Sequence, residues 1–156
     1  MWPETKSRAE LELSLLRREL EEYRDLIEKV HQAEPSKIEL AALAAFVHAY
    51  YTGIESIFKR IATEVDGDSS DGGRWHSDLL RSMAQPTEKR KAVVSIGLRH
   101  VLGKYLEFRH VFRHAYNFEL KWSRMGDLVL DAEEVLNRLE AELRSFFSGD
   151  APDEAS

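Results

Sequence analysis

Apolar residues recur at steps of four and three along the first part of the chain, the spacing that places side chains on one face of an α-helix. Pro35 disfavours the helical conformation in the residue before it. We therefore predict one long helix from about Thr5 to Gln32, suited to packing in a bundle or against a partner helix. Its apolar face consists of Ala9, Leu13, Leu16, Leu20, Tyr23, Ile27 and Val30.

Helical signals continue through the middle of the chain. Ser36 and Glu39 have the spacing of a capping box ahead of an apolar run, which predicts a central helix that reaches Val65. The sequence DGDSSDGG at 66–73 predicts a flexible loop. A short helix is predicted at 75–84, because apolar residues again recur there at helical spacing.

The second half of the chain has the same character. A turn near 89–95 is predicted to lead into a helix that ends at about His114, and one further helix follows. No segment alternates with period two, so we predict an all-α fold, an antiparallel bundle of four to five helices. We expect one domain at 1–148 and a disordered acidic tail at 149–156. The apolar face of the last helix consists of Met125, Leu128, Ala132, Val135, Leu139, Leu143 and Phe146.

The composition excludes several classes of site. The chain has no cysteine, which rules out disulfides, thiolate metal sites and cysteine nucleophiles, and which fits a reducing compartment. The first ten residues do not have the form of a secretory signal, and no stretch approaches the ~20 apolar residues that cross a bilayer. We therefore expect a cytoplasmic protein without a membrane partner.

Charge is distributed unevenly along the chain. The net charge of −6 argues against a polyanionic partner, but residues 89–124 contain nine Lys or Arg and only two acids, a balance of +7. The other residues carry −13. The basic segment also contains His100, His110 and His114, which favours a surface that handles phosphates. The alternative is an ordinary solvated helix face.

The sequence FRHVFRHAYNFEL at 108–120 places Arg109, His114 and Tyr116 close together. A guanidinium can bind an anionic phosphorane through two hydrogen bonds, and an imidazole moves protons near neutral pH. These residues therefore suit cleavage of a phosphate ester. Alternatively, Arg109 forms a salt bridge with Glu55 or Glu107, and His114 is a partly buried polar residue at a helix end.

Helix geometry limits how Arg109 and His114 can cooperate. On a regular helix two positions five residues apart lie ~140° from each other. Either the helix ends or tightens around 112–116, or the motifs of two chains combine in one cleft. In such a cleft His114 is predicted to deprotonate a ribose 2′-hydroxyl for attack on the adjacent phosphate, without a metal. This chemistry requires RNA.

A metal site is the rival interpretation of the same segment. Glu107, His110 and His114 have i, i+3, i+7 spacing on one helical face, and His-x-x-x-His is a spacing of metal ligands. A carboxylate-bridged di-metal bundle needs more than this spacing, since it uses a Glu-x-x-His motif from each of two helices together with further glutamates. We therefore predict that no metal or other cofactor takes part.

The chain resembles HEPN domains of the HepT-like type in three segments, AYYTGIESIFKRIATEV, GGRWHSDLL and YLEFRHVFRHAYNFEL. The resemblance implies a homodimeric, metal-independent endoribonuclease whose two Arg/His motifs face each other across a cleft. It makes Arg109 and His114 the catalytic pair. His110 takes the polar position after the arginine, where it would help to orient the phosphate, and Arg113 would support RNA binding.

The resemblance also implies a regulated toxin of a toxin–antitoxin pair, of type II- or VII-like organisation. Tyr116 matches the tyrosine to which an MNT nucleotidyltransferase antitoxin would transfer AMP, although a tyrosine packed under the helix end is the plainer interpretation. Glu55 takes the place of an acidic residue near the site and would orient Arg109. Trp75-His76 has no assigned mechanism and is expected to be structural. The alternative function is a non-catalytic HEPN-type module that binds nucleotide, RNA or a partner.

Overall fold

The computed structural model describes residues 1–68, 75–114 and 120–149. Within these ranges the chain forms seven α-helices and no strand, which confirms the all-α prediction. The helices pack around one continuous apolar core. They are α1 (Pro3–Glu22), α2 (Arg24–Val30), α3 (Lys37–Glu64), α4 (Trp75–Met83), α5 (Ile96–His114), α6 (Trp122–Leu130) and α7 (Ala132–Ser148).

The predicted central helix is α3, and it begins with the predicted capping box. The Ser36 hydroxyl accepts a hydrogen bond from the Glu39 amide at 3.2 Å, and the Glu39 carboxylate accepts one from the Ser36 amide at 2.9 Å. These bonds satisfy two amides that would otherwise lack partners at the helix start. Along its length α3 packs against α1, α4, α5 and α6. It therefore forms the support on which the other helices are positioned.

The prediction of a single helix over Thr5–Gln32 is wrong in one respect. The helix is interrupted at Tyr23, whose φ and ψ are −95° and 1°, so that α1 and α2 are separate helices. The Tyr23 ring packs against the Phe46 ring of α3, with 5.0 Å between centroids. This tertiary contact coincides with the interruption. The predicted apolar face is otherwise buried or partly buried.

The predicted last helix is also divided, at Asp131, into α6 and α7. Two buried tyrosine hydroxyls donate hydrogen bonds to backbone carbonyls on either side of the interruption: Tyr105 to Leu128 at 2.7 Å and Tyr50 to Ala132 at 2.8 Å. All seven predicted apolar residues of this segment are buried, so the predicted face is confirmed.

A buried ion pair fixes the connection between α4 and α5. Arg90, which is 5% exposed, donates from Nε and Nη2 to the Asp66 carboxylate at 2.8 and 3.0 Å, and from Nη1 to the Gln85 carbonyl at 2.8 Å. The Val93 amide donates to the Met83 carbonyl at 2.8 Å, which holds the end of α4 beside the start of α5. The two helices therefore run in opposite directions along a shared groove.

Parts of two predictions lie outside the described residues. Of the predicted loop at 66–73 the structure describes 66–68, and of the predicted tail at 149–156 it describes Gly149, which ends α7 with φ of 88°. Among the described residues, no helix is long and apolar enough to cross a membrane.

Candidate functional site

Arg109 lies on α5 and is held by a histidine and a glutamate from two other helices. Its Nη1 atom is 3.4 Å from Nε2 of His76, at the start of α4. On the other side of the imidazole, Nδ1 of His76 is 2.8 Å from a carboxylate oxygen of Glu55, on α3. Glu55 is 5% exposed. A buried carboxylate, an imidazole and a guanidinium thus form one chain across three helices.

The chemistry of these groups fixes the direction of both hydrogen bonds. An ionised carboxylate only accepts and a guanidinium only donates. The neutral His76 ring satisfies both partners in one tautomer. In that tautomer the proton is on Nδ1, which donates it to Glu55, and Nε2 accepts a hydrogen bond from Arg109. We assign this tautomer from the network of partners. His76 also contacts the Trp75 ring at 3.7 Å between centroids, and that ring lies 5.1 Å from the Lys59 ammonium.

Three buried polar atoms in or near the contacts of Glu55, His76 and Arg109 have no hydrogen-bond partner among the described residues. They are His48 Nδ1, Tyr51 Oη and Arg109 Nε. Burial lowers the pKa of His48, and the positive charges of Arg109 and Arg113 lower it further. Burial also raises the pKa of Tyr51 far above its ordinary value, with a further contribution from the Glu55 charge. Both side chains are therefore neutral near neutral pH, and they add uncharged polar groups close to the Glu55 carboxylate.

Arg109 opens onto a cavity of about 1210 Å³ between α4 and α5, which we call the α4–α5 groove. Its lining, as far as the described residues form it, has one acid, Glu107, and three histidines, at positions 76, 100 and 110. The groove therefore carries a clear excess of positive charge. Its cationic side chains are Arg81, Arg99, Lys104, Arg109 and Arg113.

The cations of the groove are not matched by carboxylates. In the part of the chain that the structure describes, Arg81, Arg99, Lys104 and Arg113 form no ion pair with an acid. Several arginines elsewhere are paired, for example Arg17 with Glu140, Arg60 with Glu64 and Arg90 with Asp66. Unpaired cations that share one concave surface favour the binding of an anion.

The structure brings most of the predicted site residues together. Arg109, His110 and Arg113 line the groove, and Glu55 lies behind His76. The alternative of a direct ion pair between Arg109 and either Glu55 or Glu107 is not observed. Glu55 contacts His76, and His76 contacts Arg109, so a link between Glu55 and Arg109 passes through the imidazole.

Two predicted residues are described only in part or not at all. Position 114 is the last described residue of α5, so the predicted helix end stays a prediction, and the side chain of His114 lies outside the description. Tyr116 lies outside the described residues.

The predicted metal-ligand alternative involves the same region. Among the described residues, no three His, Asp or Glu side chains are grouped so that they could hold a metal ion. Glu107 and His110 both line the groove. The third candidate ligand, His114, is not covered by this observation.

The sequence matches the family described as HepT-like protein over residues 42–149. The chain belongs to this family. The HepT-like resemblance predicted from the sequence is thereby confirmed, and the match includes the chain of Glu55, His76 and Arg109. Most of α3 and all of α4–α7 fall within the matched region of this HepT-like protein, whereas α1 and α2 precede it. No curated protein and no solved structure matches the chain.

His76 is the residue of this HepT-like site whose role sequence reasoning missed. The Trp75-His76 pair was expected to be structural, but its imidazole joins Glu55 to Arg109. Its partners lie 21 and 33 residues away in sequence and on other helices. The signal that the sequence offers is the position of His76 at the start of an amphipathic helix.

Proposed function

We propose that this HepT-like protein is a metal-independent endoribonuclease and the toxin of a toxin–antitoxin pair. The observation that carries the proposal is the chain from Glu55 through His76 to Arg109, which holds a guanidinium at the edge of a groove rich in unpaired cations. Such a preorganised cation stabilises negative charge that develops in a transition state. The family supports a toxin-like role.

In the proposed reaction, Arg109 binds the scissile phosphate and offsets the charge of the phosphorane. His114 accepts the proton of the ribose 2′-hydroxyl as that oxygen attacks phosphorus. The bond from phosphorus to the 5′-oxygen of the next nucleotide breaks, and that oxygen takes up a proton. The products are a 2′,3′-cyclic phosphate and a free 5′-hydroxyl. His110 and Arg113 add hydrogen bonds and charge around the phosphate.

A second copy of the chain completes the proposed site. Because α5 is helical through position 114, positions 109 and 114 lie ~140° apart around its axis. One copy therefore presents Arg109 and His114 in different directions. In a homodimer with α5 at the interface, the arginine of one chain can meet the histidine of the other.

Regulation is proposed to act on Tyr116. An MNT nucleotidyltransferase antitoxin would transfer AMP to its hydroxyl. The added phosphate would place negative charge next to the cations of the groove and repel RNA. The intact mass of the protein, expressed with and without an MNT-type nucleotidyltransferase, tests this: an AMP increment on the Tyr116 peptide supports it, and an unmodified, silenced toxin contradicts it.

The nuclease proposal is tested with Arg109→Ala and His114→Ala. Each is expected to abolish RNA cleavage and growth arrest, while EDTA leaves cleavage unchanged. Arg144→Ala is the matched control, because Arg144 is exposed on α7 and pairs only with Glu140 one turn away. Loss of activity on EDTA treatment, or full activity of both variants, would refute the proposal.

The second candidate function is a non-catalytic module that binds RNA or nucleotide. The unpaired cations of the groove favour it, because they bind anions whether or not a reaction follows. This candidate function is favoured if the unmodified protein binds RNA tightly but never releases a 2′,3′-cyclic phosphate.

A further inference from the structure

The α4–α5 groove extends well beyond Arg109. Because α4 ends beside the start of α5, Arg81 and Arg99 lie towards the end of the groove opposite His76 and Arg109. Arg99 precedes Arg109 by ten residues, or ~15 Å along a helix, and Lys104 lies midway. We call Arg81, Arg99 and Lys104 the remote cationic end.

We propose that the remote cationic end binds the phosphates of single-stranded RNA at a distance from the bond that is cut. The inference rests on the proposed nuclease function and adds a binding site to it. At ~3.4 Å per stacked nucleotide, the distance from Arg109 to Arg99 corresponds to about four nucleotides. The groove therefore holds a short strand rather than a single phosphate.

The first support is the lack of competing acids. In the described part of the chain Arg81, Arg99 and Lys104 have no carboxylate partner, although acids outnumber bases in the sequence by 28 to 22. Among the described residues, Glu107 is the one acid in the groove lining. Cations that share one surface repel each other, and a bound anion offsets that repulsion.

The second support is the open backbone between the remote cations. A Cβ atom added at Gly103 would have no neighbour within 4 Å, and Gly103 lines the groove between Arg99 and Lys104. The helix surface is therefore accessible to a chain lying along it. None of the described residues fills this space.

The groove is built to bind backbone phosphates rather than to read bases. The Trp75 ring, the aromatic residue best placed to stack on a base, already contacts His76 and Lys59. The remaining apolar lining is aliphatic, with Leu80, Leu106 and Val111. Binding at the remote end should therefore depend on charge and tolerate different sequences.

A single strand fits this chemistry better than a duplex. In-line attack by a 2′-hydroxyl requires the nucleotide to leave the regular helical geometry, and a free strand reaches such a near-attack conformation more readily. A duplex must first unstack and unpair the target nucleotide, which is unfavourable.

The test compares Arg81→Ala/Arg99→Ala with Arg18→Ala/Arg144→Ala, which removes the same charge from exposed sites on α1 and α7. With an RNA strand of about twelve nucleotides, the groove variant should raise KM and leave kcat unchanged. With a dinucleotide, which cannot reach the remote end, neither variant should change KM. Thermal melting confirms that both variants fold.

Binding is measured separately with a 2′-O-methyl RNA strand, which cannot be cleaved. The slope of log affinity against log salt should fall by about 1.4 in the groove variant, since each lost contact with a single strand contributes about 0.7. Equal slopes for the two variants would overturn the inference. An equal slope loss with a duplex of the same length would overturn the assignment to a single strand.

The two proposals fail in different ways. If wild-type protein cleaves RNA but the groove variant behaves as the control does, the remote site is wrong and the nuclease stands. If wild-type protein never cleaves RNA but the slope loss is present, the nuclease is wrong and the binding site stands.

Discussion

His76 joins a buried carboxylate to a guanidinium, and each of its two ring nitrogens has a partner. We expect His76→Ala to lower kcat about tenfold to a hundredfold, because Arg109 loses the group that orients it. His76→Gln should restore much of this loss, since an amide can donate to Glu55 and accept from Arg109. Single-turnover cleavage rates measure the effect.

His100→Ala is the matched control for His76, because it removes the same ring from the same groove without touching this chain of contacts. Equal rates for His76→Ala, His76→Gln and wild type would show that His76 does not position Arg109.

His48 gives the protein a defined pH dependence. Burial, assisted by Arg109 and Arg113, lowers its pKa in the folded state. The unfolded chain therefore binds a proton as pH falls through about 6.5, before the folded protein does. The stability linked to neutral His48 is present above that pH and is lost as the pH falls below it, until the folded-state pKa is also passed.

We expect His48→Asn to reduce this loss. Urea unfolding at about pH 7.5 and about pH 5.5 should show a smaller drop in unfolding free energy for the variant than for wild type. The Glu55 charge opposes the shift, so Glu55→Gln should enlarge the drop. An unchanged drop in His48→Asn would contradict the assignment.

The sequence predicts Arg109, His114 and Tyr116 as site residues because all three lie in one short segment, where their spacing is visible. It identified Glu55 through the family resemblance. His76 could not be found in this way, because its two contacts join α3, α4 and α5. Periodicity describes the face of one helix and carries no information about which residues of another helix lie opposite.

Two of the glycines in the helices have opposite surroundings. A Cβ at Gly53 of α3 would lie 2.7 Å from Cδ2 of the buried Leu16 of α1, whereas one at Gly103 of α5 would meet nothing within 4 Å. Gly103→Ala should therefore stabilise the protein by about 1 kcal/mol through helix propensity. Gly53→Ala must displace Leu16 and should lose this gain or destabilise the protein. Denaturant unfolding of both variants tests the contrast, and equal gains would contradict it.

The elements that could be predicted were those defined by local signals. The capping box of Ser36 and Glu39 gave the start of α3, and helical periodicity gave the buried face of α6 and α7. The interruptions at Tyr23 and Asp131 could not be predicted. They coincide with contacts to distant residues, the Phe46 ring in one case and the Tyr50 and Tyr105 hydroxyls in the other.

On the scale of the whole molecule, the proposed site depends on pairing of two chains. The test combines two inactive variants, Arg109→Ala and His114→Ala, expressed together with different affinity tags and isolated as mixed dimers. If Arg109 of one chain acts with His114 of the other, each mixed dimer contains one intact site and should have about half of the wild-type activity. If both residues act within one chain, the mixed dimer stays inactive.

The open space beside Gly103 makes this groove convenient for spectroscopy. The chain contains no cysteine, so Gly103→Cys would introduce the single thiol of the protein, at a position where added atoms meet no neighbour. A nitroxide attached there would report the separation of the two α5 helices in a dimer. A fluorophore at the same position would respond to RNA entering the groove. Labelling is specific because there is no native thiol to remove first.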